Sequence, residues 1–512
     1  MDVDDRSVSS TRTCRRVAMA PMFHCGNVAR VSATSQDAKE WTWRGEDEFT
    51  SLGDRQSLPP RPLPTLSTPR RVVLVRHGQS TWNAEGRIQG CSDFAKLTKK
   101  GKEQAQTSAE MLREDRFDAL FCSPLQRASE TADIIWRDRE QPKHVLPSLR
   151  EVDLYSFQGL LKEDGKAKFG DEFVKWQKDA ANFTIDDHYP VRELWYRASL
   201  AWQDVLDESR DYRSCLVVAH NAVNQALLAT ALGLDPIYFR RMLQSNAAIS
   251  VLDFVGSINV DGNIGGTKVT LDRLNQSPDP PFAGSGAGRK ARARLVFVRH
   301  GGTDRSEDGL IAGKEDERCN LLGRLHAVKT AEFLLDLEID TILSSPLYRA
   351  VETAREIALL QPLGGHKTPP ILEYEELAEL DFGDWAGRPV AAVRGQEWPE
   401  DGETLEDFWQ RTKIAWHETL KLLDKGEGKN ILVVGHGATH AAFVCHCLGL
   451  GPQAISLFRI ETGGVTIMDF PDGALKGKGV LRSINYHSHL GRWSVPATQE
   501  DYTDVCGIDG CF

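Results

Sequence analysis

No stretch of the chain approaches the ~18 consecutive apolar residues that cross a bilayer, so a membrane-spanning helix is excluded. Positive charge is not in excess either. Sixty-two Lys and Arg against 73 Asp and Glu give a net charge of −11. That balance argues against nucleic acid or an anionic membrane surface as the main partner. An anionic substrate would therefore need a local cluster of Arg and His. Cysteine is sparse, with ten in 512 residues, and Cys122, Cys215 and Cys445 each stand in apolar surroundings. This is the usage of buried thiols in a reducing compartment, not of a disulfide framework. Cys506 and Cys511, in DVCGIDGCF, are the exception, open to two readings: unpaired tail thiols or a redox-sensitive bridge. No metal or cofactor is expected. His436, His440, Cys445, His446 and Cys447 are close in sequence but follow a strand on an apolar helix, where they are expected to pack.

What is present is the composition of a globular protein, 41% apolar and 26% charged, at a length that suits two to four domains. Residues 1–70 lack a sustained apolar period and end in SLPPRPLPTLSTPRR. Arg6, Arg12, Arg15, Arg16 and Arg30, with the small residues around Val31-Ser32-Ala33, read as a transit peptide followed by a disordered linker. A disordered cytosolic tail is the alternative. Beyond this leader the chain repeats itself. Arg71–Gly78 (RVVLVRHG) returns as Arg294–Gly301 (RLVFVRHG), and Cys122–Arg127 (CSPLQR) as Ser344–Arg349 (SSPLYR). VVAH ending at His220 returns as VVGH ending at His436, and SVLDF at Ser250–Phe254 as TIMDF at Thr466–Phe470. The offsets stay between 216 and 223, so two copies of one domain follow: 71–274 and 294–475. A Pro/Gly-rich and basic linker (275–293) separates them, and 476–512 is expected to be a C-terminal tail. The linker glycines lead into a strand and lack the Lys-Ser/Thr ending of a phosphate loop, so that reading is dismissed.

RVVLV and RLVFV are short, continuous, β-branched runs of the kind buried in parallel sheets. Thr98 and Asn320 are helix-capping types, each followed by apolar residues at helical spacing. Strands alternating with helices predict two tandem three-layer α/β/α domains with mostly parallel sheets. In such sheets a site lies beyond the carboxyl ends of the strands, where the RHG, SPL and VVxH motifs all fall.

The first copy thus gathers Arg76, His77, Arg127, His220 and the carboxylate Glu151. Guanidinium forks pair with phosphate oxygens and keep their charge, and neutral imidazole is a competent nucleophile at phosphorus. Fixed cations stabilise the charge on the transferring phosphoryl group. A carboxyl group opposite the nucleophile can protonate the leaving alkoxide and then deprotonate water. Gly78 is expected to let backbone approach the phosphate.

RHGQSTWNAEGRIQG, CSPLQRASETA and VVAH resemble the histidine phosphatase superfamily, the phosphoglycerate mutase-like proteins, in both copies. The resemblance implies His77 as the phosphorylated nucleophile and Arg76, Arg127 and His220 as the phosphate pocket. It further implies Glu151 as proton donor, with Asn83 and Arg87 lining the substrate entrance. A narrower likeness, carried by LREVDLYSFQGLLKEDGKAKFG, VVAHNAVNQALLATALGL and INYHSHLGRWSVP, is to plant chloroplast phosphatases acting on 2-carboxy-D-arabinitol 1-phosphate, an inhibitor of Rubisco. It implies a sugar-phosphate substrate, a stromal address and an indirect link to Rubisco. It also implies substrate selection by the segment Phe157–Trp195, with Lys162, Lys166, Lys168, Lys175 and Arg192. The solvated face of a helix accounts for those lysines equally well. A phosphoglycerate mutase, a fructose-bisphosphate-type phosphatase and a non-catalytic phosphate-binding scaffold are the alternatives.

The copies are unequal. The second keeps Arg299, His300, Arg349, His436 and the acid Glu379, but Asn83 becomes Ser306 and Arg87 becomes Leu310. The first carries Asn221 where the superfamily usually has Gly. The first copy is therefore expected to carry the principal chemistry.

Overall fold

The computed structural model describes residues 58–498, apart from 208, 259–263, 280, 283–290, 394–395, 427, 476–478 and 494–496. The first copy runs β1 (Arg70–Arg76), α1 (Thr81–Glu85), α2 (Lys99–Met111), β2 (Ala119–Cys122), α3 (Gln126–Trp136) and β3 (Lys143–Val145). It continues through α4 (Lys162–Lys178), α5 (Pro190–Val205), β4 (Ser214–Ala219), α6 (Asn221–Ala231), β5 (Ile249–Ile258) and β6 (Ile264–Gln276). The second repeats the plan with β7 (Ala293–Arg299), α7 (Asp304–Glu307), α8 (Leu321–Phe333), β8 (Thr341–Ser344), α9 (Tyr348–Leu360) and β9 (Ile371–Glu373). There follow α10 (Val390–Val393), α11 (Leu405–Leu423), β10 (Lys429–Gly435), α12 (Gly437–Leu448), β11 (Val465–Phe470) and β12 (Val480–Tyr486).

In each half, strands β1, β4, β2 and β3, or β7, β10, β8 and β9, pair in parallel, and β5 or β11 then joins antiparallel. The two sheets are not separate. β6 and β12 pair antiparallel with Leu274 opposite Ile484, so twelve strands form one sheet in the order β3-β2-β4-β1-β5-β6-β12-β11-β7-β10-β8-β9. Read outward from that junction the halves are identical, a pseudo-two-fold arrangement. Joining the halves at β6 and β12 covers the strand edge each would otherwise expose.

The alternation of the apolar strands explains the layers. On β1, Val72 and Leu74 enter a core shared by both copies, whereas Val73 and Val75 face a separate core under α2 and α3. On β7, Leu295 and Phe297 point into the shared core, and Val296 and Val298 into a third core under α8 and α9. Period-two geometry makes this division obligatory once both faces are covered. Thr98 and Asn320 cap α2 and α8, accepting from the amides of Gly101 at 3.0 Å and Gly323 at 2.8 Å.

Three expected boundaries move. The stretch after 475 is no tail: β12 lies in the sheet, and Ala497 and Thr498 return to the first copy. There the Ala497 carbonyl accepts from Arg71 at 2.6 Å and the Thr498 hydroxyl bonds Asp115 at 2.8 Å. The linker does not begin at 275, because β6 continues to Gln276. The end of the leader is also part of the fold: Leu66 is buried, the Arg61 amide donates to Ser199 Oγ at 2.8 Å, and Thr267 donates to the Pro64 carbonyl at 2.6 Å. Cys506, Cys511 and the Arg-rich leader lie outside the described residues.

The junction buries a charged layer. Arg71 holds Asp253 through two contacts of 2.6 Å, and Arg459 of the second copy reaches Asp253 at 3.2 Å and Asp272 at 3.5 Å. Burial alone would raise the Asp272 carboxyl, but Arg71, Arg273 and Arg459 hold it down at about 2.

Candidate active sites

In each half the first strand ends in Arg-His-Gly, and its parallel neighbour ends in a histidine that begins a helix. That topology places His77 and His220 with ring centroids 5.1 Å apart, and His300 and His436 5.2 Å apart. All four rings are buried. His77 Nδ1 lies 2.6 Å from the Gly78 carbonyl, and His300 Nδ1 lies 2.7 Å from that of Gly301. A carbonyl can only accept, so Nδ1 carries the proton and Nε2 presents its lone pair. Burial, then Arg127 and Arg76, holds His77 well below the ordinary imidazole range. Burial, Arg349 and Arg299 do the same for His300. Both rings are therefore neutral at neutral pH.

Arg76 donates to the Gln244 carbonyl at 2.7 Å, and Arg299 to that of Ile460 at 2.5 Å. Burial lowers the Arg76 guanidinium to about 10, against the opposing pull of Glu151, so it stays charged. Arg127 and Arg349 are fully buried at the starts of α3 and α9. Arg127 is held by the carbonyls of Ser92 at 2.7 Å and Gly90 at 3.0 Å, and Arg349 by those of Glu315 and Gly313 at 2.7 and 2.8 Å. Backbone clamping orients both forks before any ligand arrives. The copies differ in one contact: Arg349 Nε donates to His300 Nε2 at 3.2 Å, whereas Arg127 Nε has no protein partner.

Glu151 sits at the amino end of α6. Its Oε1 accepts from Val152, Ala222 and Val223 at 3.0, 3.0 and 3.1 Å, and its Oε2 from Ala222 at 3.1 Å. Glu379 takes the same place at α12, accepting from Leu380 at 2.9 Å and Gly437 at 3.0 Å. Helix-end amides hold both carboxyl groups beside the histidines. Asn221 does not disturb this geometry. His220 has φ −130 and ψ 178, His436 φ −128 and ψ 172, and the Asn221 side chain accepts from Gln225 at 3.0 Å.

Gly78 has a steric reason to be glycine. A Cβ there would fall 2.1 Å from the Gly101 carbonyl oxygen, and one on Gly301 would fall 2.1 Å from that of Gly323. Backbone packing of the histidine loop on α2 or α8 by itself requires glycine there. Asn83 closes a capping box on α1, accepting from the Ser80 amide at 3.2 Å, and also accepts from Asn246 at 3.3 Å. Arg87, about one-third exposed, is held by Glu85 at 2.5 Å and the Gly159 carbonyl at 3.0 Å. Arg192 is committed to Ala181 at 3.0 Å and Asn182 at 2.5 Å within the α4–α5 connection. Lys162, Lys166, Lys168 and Lys175 are exposed along α4.

Two participants escaped the sequence reasoning. Ser123 Oγ lies 2.7 Å from His220 Nε2, and Ser345 Oγ lies 2.7 Å from His436 Nε2. Their signal is in the sequence, because this serine recurs in CSPLQR and SSPLYR. Asn246 donates to the His77 carbonyl at 3.1 Å, and at the next residue Ala247 has φ 55.

Among the described residues no group of His, Cys, Asp or Glu is arranged to hold a metal ion. The chemistry these two pockets can perform is transfer of a phosphoryl group to a neutral imidazole flanked by fixed cations.

The family model described as the histidine phosphatase superfamily (branch 1) matches residues 72–259 and again 295–481, and the chain belongs to that superfamily. Within it, the chain is 46% identical over 448 residues to an Arabidopsis thaliana protein named "Probable 2-carboxy-D-arabinitol-1-phosphatase", covering 85% of this chain and 91% of that protein. It is 45% identical over 469 residues to the 2-carboxy-D-arabinitol-1-phosphatase of Triticum aestivum, covering 88% and 92%. Among solved structures, the α-ribazole phosphatase of Shigella flexneri is 25% identical with a TM-score of 0.35, covering 40% of this chain and 96% of that one.

Proposed function

We propose that the first copy hydrolyses the phosphate ester of a small sugar acid, 2-carboxy-D-arabinitol 1-phosphate, through a phosphohistidine on His77. The observation that carries the reading is the His77 Nδ1 contact with the Gly78 carbonyl, which leaves Nε2 as the lone-pair nitrogen. In the first step His77 Nε2 bonds to phosphorus and the phosphorus–oxygen ester bond breaks. The alkoxide leaves as an alcohol with a proton from Glu151. Arg76, Arg127 and His220 hold the three equatorial oxygens. In the second step Glu151 takes a proton from water, the water oxygen bonds to phosphorus, and the nitrogen–phosphorus bond breaks. The sum is ester plus water giving alcohol plus inorganic phosphate. In this reading Asn83 and Arg87 line the substrate entrance and meet the carboxylate and hydroxyl groups of the sugar acid.

Extended identity to the two plant proteins supports the substrate, and with it a chloroplast address and a link to Rubisco through its inhibitor. No helix among the described residues is long and apolar enough to cross a membrane. The test is phosphate release from 2-carboxy-D-arabinitol 1-phosphate by His77→Ala and His300→Ala variants of the full chain. Loss in the first and retention in the second is expected. The opposite pattern overturns the assignment, and an isomer formed from 3-phosphoglycerate without phosphate release would make the first copy a mutase.

A further inference from the structure

The second copy holds every reacting group of the first, and the family model matches its residues 295–481, yet its mouth is far more acidic. The entrance segment 81–94 of the first copy carries two acids (Glu85, Asp93) and one base (Arg87), a net −1. The corresponding 304–317 carries six acids and two bases, a net −4. The bases are neutralised: Arg305 pairs with Glu315, and Lys314 lies 3.7 Å from Asp381. Acids of the second mouth replace uncharged residues of the first at five positions. Among these, Glu307 stands for Ala84, Glu317 for Phe94, and Glu461 for Ser245.

Their placement is specific. The Glu307 carboxylate lies over Gly302, two residues past His300, so closely that a Cβ on Gly302 would be 2.5 Å from its Oε1. Glu461 follows Ile460, whose carbonyl holds Arg299, in a loop where the Gly463 amide donates to the carbonyls of Arg299 and His300 at 3.2 and 3.1 Å. Burial and the neighbouring Glu461 raise the Glu307 carboxyl, and Arg299 opposes that rise. Glu317 accepts from Thr303 Oγ1 at 2.8 Å and adds negative charge near Arg349.

A phosphate dianion seated on Arg299, Arg349, His300 and His436 leaves the rest of its ester among these carboxylates. A carboxylated sugar acid would meet repulsion there, and an ammonium group would meet Coulombic attraction. We propose that the second copy is a phosphomonoesterase site for esters carrying a cationic amine, the class of phosphorylated amino alcohols. His300 Nε2 takes the phosphoryl group, the amino alcohol leaves with a proton from Glu379, and water releases inorganic phosphate. The donor that Arg349 Nε now gives to His300 passes to a phosphate oxygen when substrate binds. This extends the phosphohistidine reading of the first copy and shares its chemistry, but not its substrate.

The experiment uses the full chain with the first site removed, as His77→Ala and as His77→Asn, with folding checked by thermal melting. Phosphate release is measured on O-phosphoethanolamine, 3-phosphoglycerate and p-nitrophenyl phosphate. The expected result is a kcat/KM for phosphoethanolamine at least tenfold above that for 3-phosphoglycerate, lost when His300→Ala is added. Glu307→Gln with Glu461→Gln narrows that ratio about fivefold, the scale of half-exposed charge pairs. A preference for 3-phosphoglycerate, a ratio unmoved by the two glutamine substitutions, or no turnover of any of the three esters overturns it. Failure of the first-copy reading registers separately, in the His300→Ala chain on the sugar phosphate.

Discussion

Ser123→Ala removes one oxygen from a site that is otherwise closed. Ser123 and His220 are both buried, and the Oγ–Nε2 contact of 2.7 Å is the ring's one side-chain hydrogen bond, since His220 Nδ1 has no protein partner. Burial, with Arg127, His77 and Arg76, keeps His220 well below the ordinary imidazole range, so the ring cannot recover the loss by ionising. Orphaning a buried polar nitrogen costs about 1–3 kcal/mol. Either that penalty remains in the folded state, or the ring turns away and the loss moves into catalysis. In the first case urea unfolding shows a stability loss of about 1–3 kcal/mol. In the second, kcat falls by the same free energy, about 5- to 150-fold. Both are read on one preparation, by phosphate release from 2-carboxy-D-arabinitol 1-phosphate and by denaturation. Ser345→Ala, at the equivalent place in the second copy, is the internal control and leaves the sugar-phosphate rate at its wild-type value. A Ser123→Ala protein with unchanged stability and unchanged kcat would refute the idea that this hydroxyl holds His220 in its working orientation.

Alanine at Gly78 or Gly301 puts a methyl 2.1 Å from a backbone oxygen that cannot move without displacing a helix start. Each substitution is expected to abolish soluble expression or to lower the melting temperature steeply, whereas alanine at the open, non-catalytic Gly426 does neither. The buried histidines His77, His220, His300, His436, His440 and His487 are all held well below their unfolded value. The unfolded chain therefore binds more protons below about pH 6.5, so stability rises with pH there and is lost on acidification. Urea midpoints should fall from about pH 6.5 to about pH 5, and a flat profile would contradict neutral burial. Residues 58–276 expressed alone lose the β12 partner of β6, the Arg459 contacts to Asp253 and Asp272, and the carbonyls of Cys447 and Gly479 that hold Arg241 at 2.7 Å. Size-exclusion chromatography should find this fragment aggregated, and a stable monomer would show the halves to be independent.

Much was legible in the linear chain because the reactive histidines sit at strand ends, where a short β-branched run and a following turn leave a local pattern. Repetition then turned weak motifs into a strong inference: RHG, SPLxR and VVxH return in order, and the structure gathers them into two pockets. The same repetition marks Ser123 and Ser345, which recur at equivalent places in the two SPL motifs. β12 could not be recognised that way. Arg482, Ser483, Asn485 and His487 are polar and buried, and composition alone assigns such residues to a surface tail. They are stable inside because their partners lie across the junction: the Ser483 hydroxyl donates to the Leu274 carbonyl at 3.1 Å, and the Asn485 amide to that of Asp272 at 2.8 Å.

The duplicated α/β plan, the phosphate-directed Arg, His and Glu sets, and the difference in charge between the two entrances are all written in the linear chain. Periodicity and spacing are local properties that survive in one dimension. The joining of the two sheets into one, the packing of Gly78 against a helix and the lone pair of His77 on Nε2 came from the folded chain alone. Each of those depends on a contact between residues far apart in the chain or on an angle that sequence spacing does not carry. Hydrogen-bond direction and close backbone approach exist only once the chain has closed on itself.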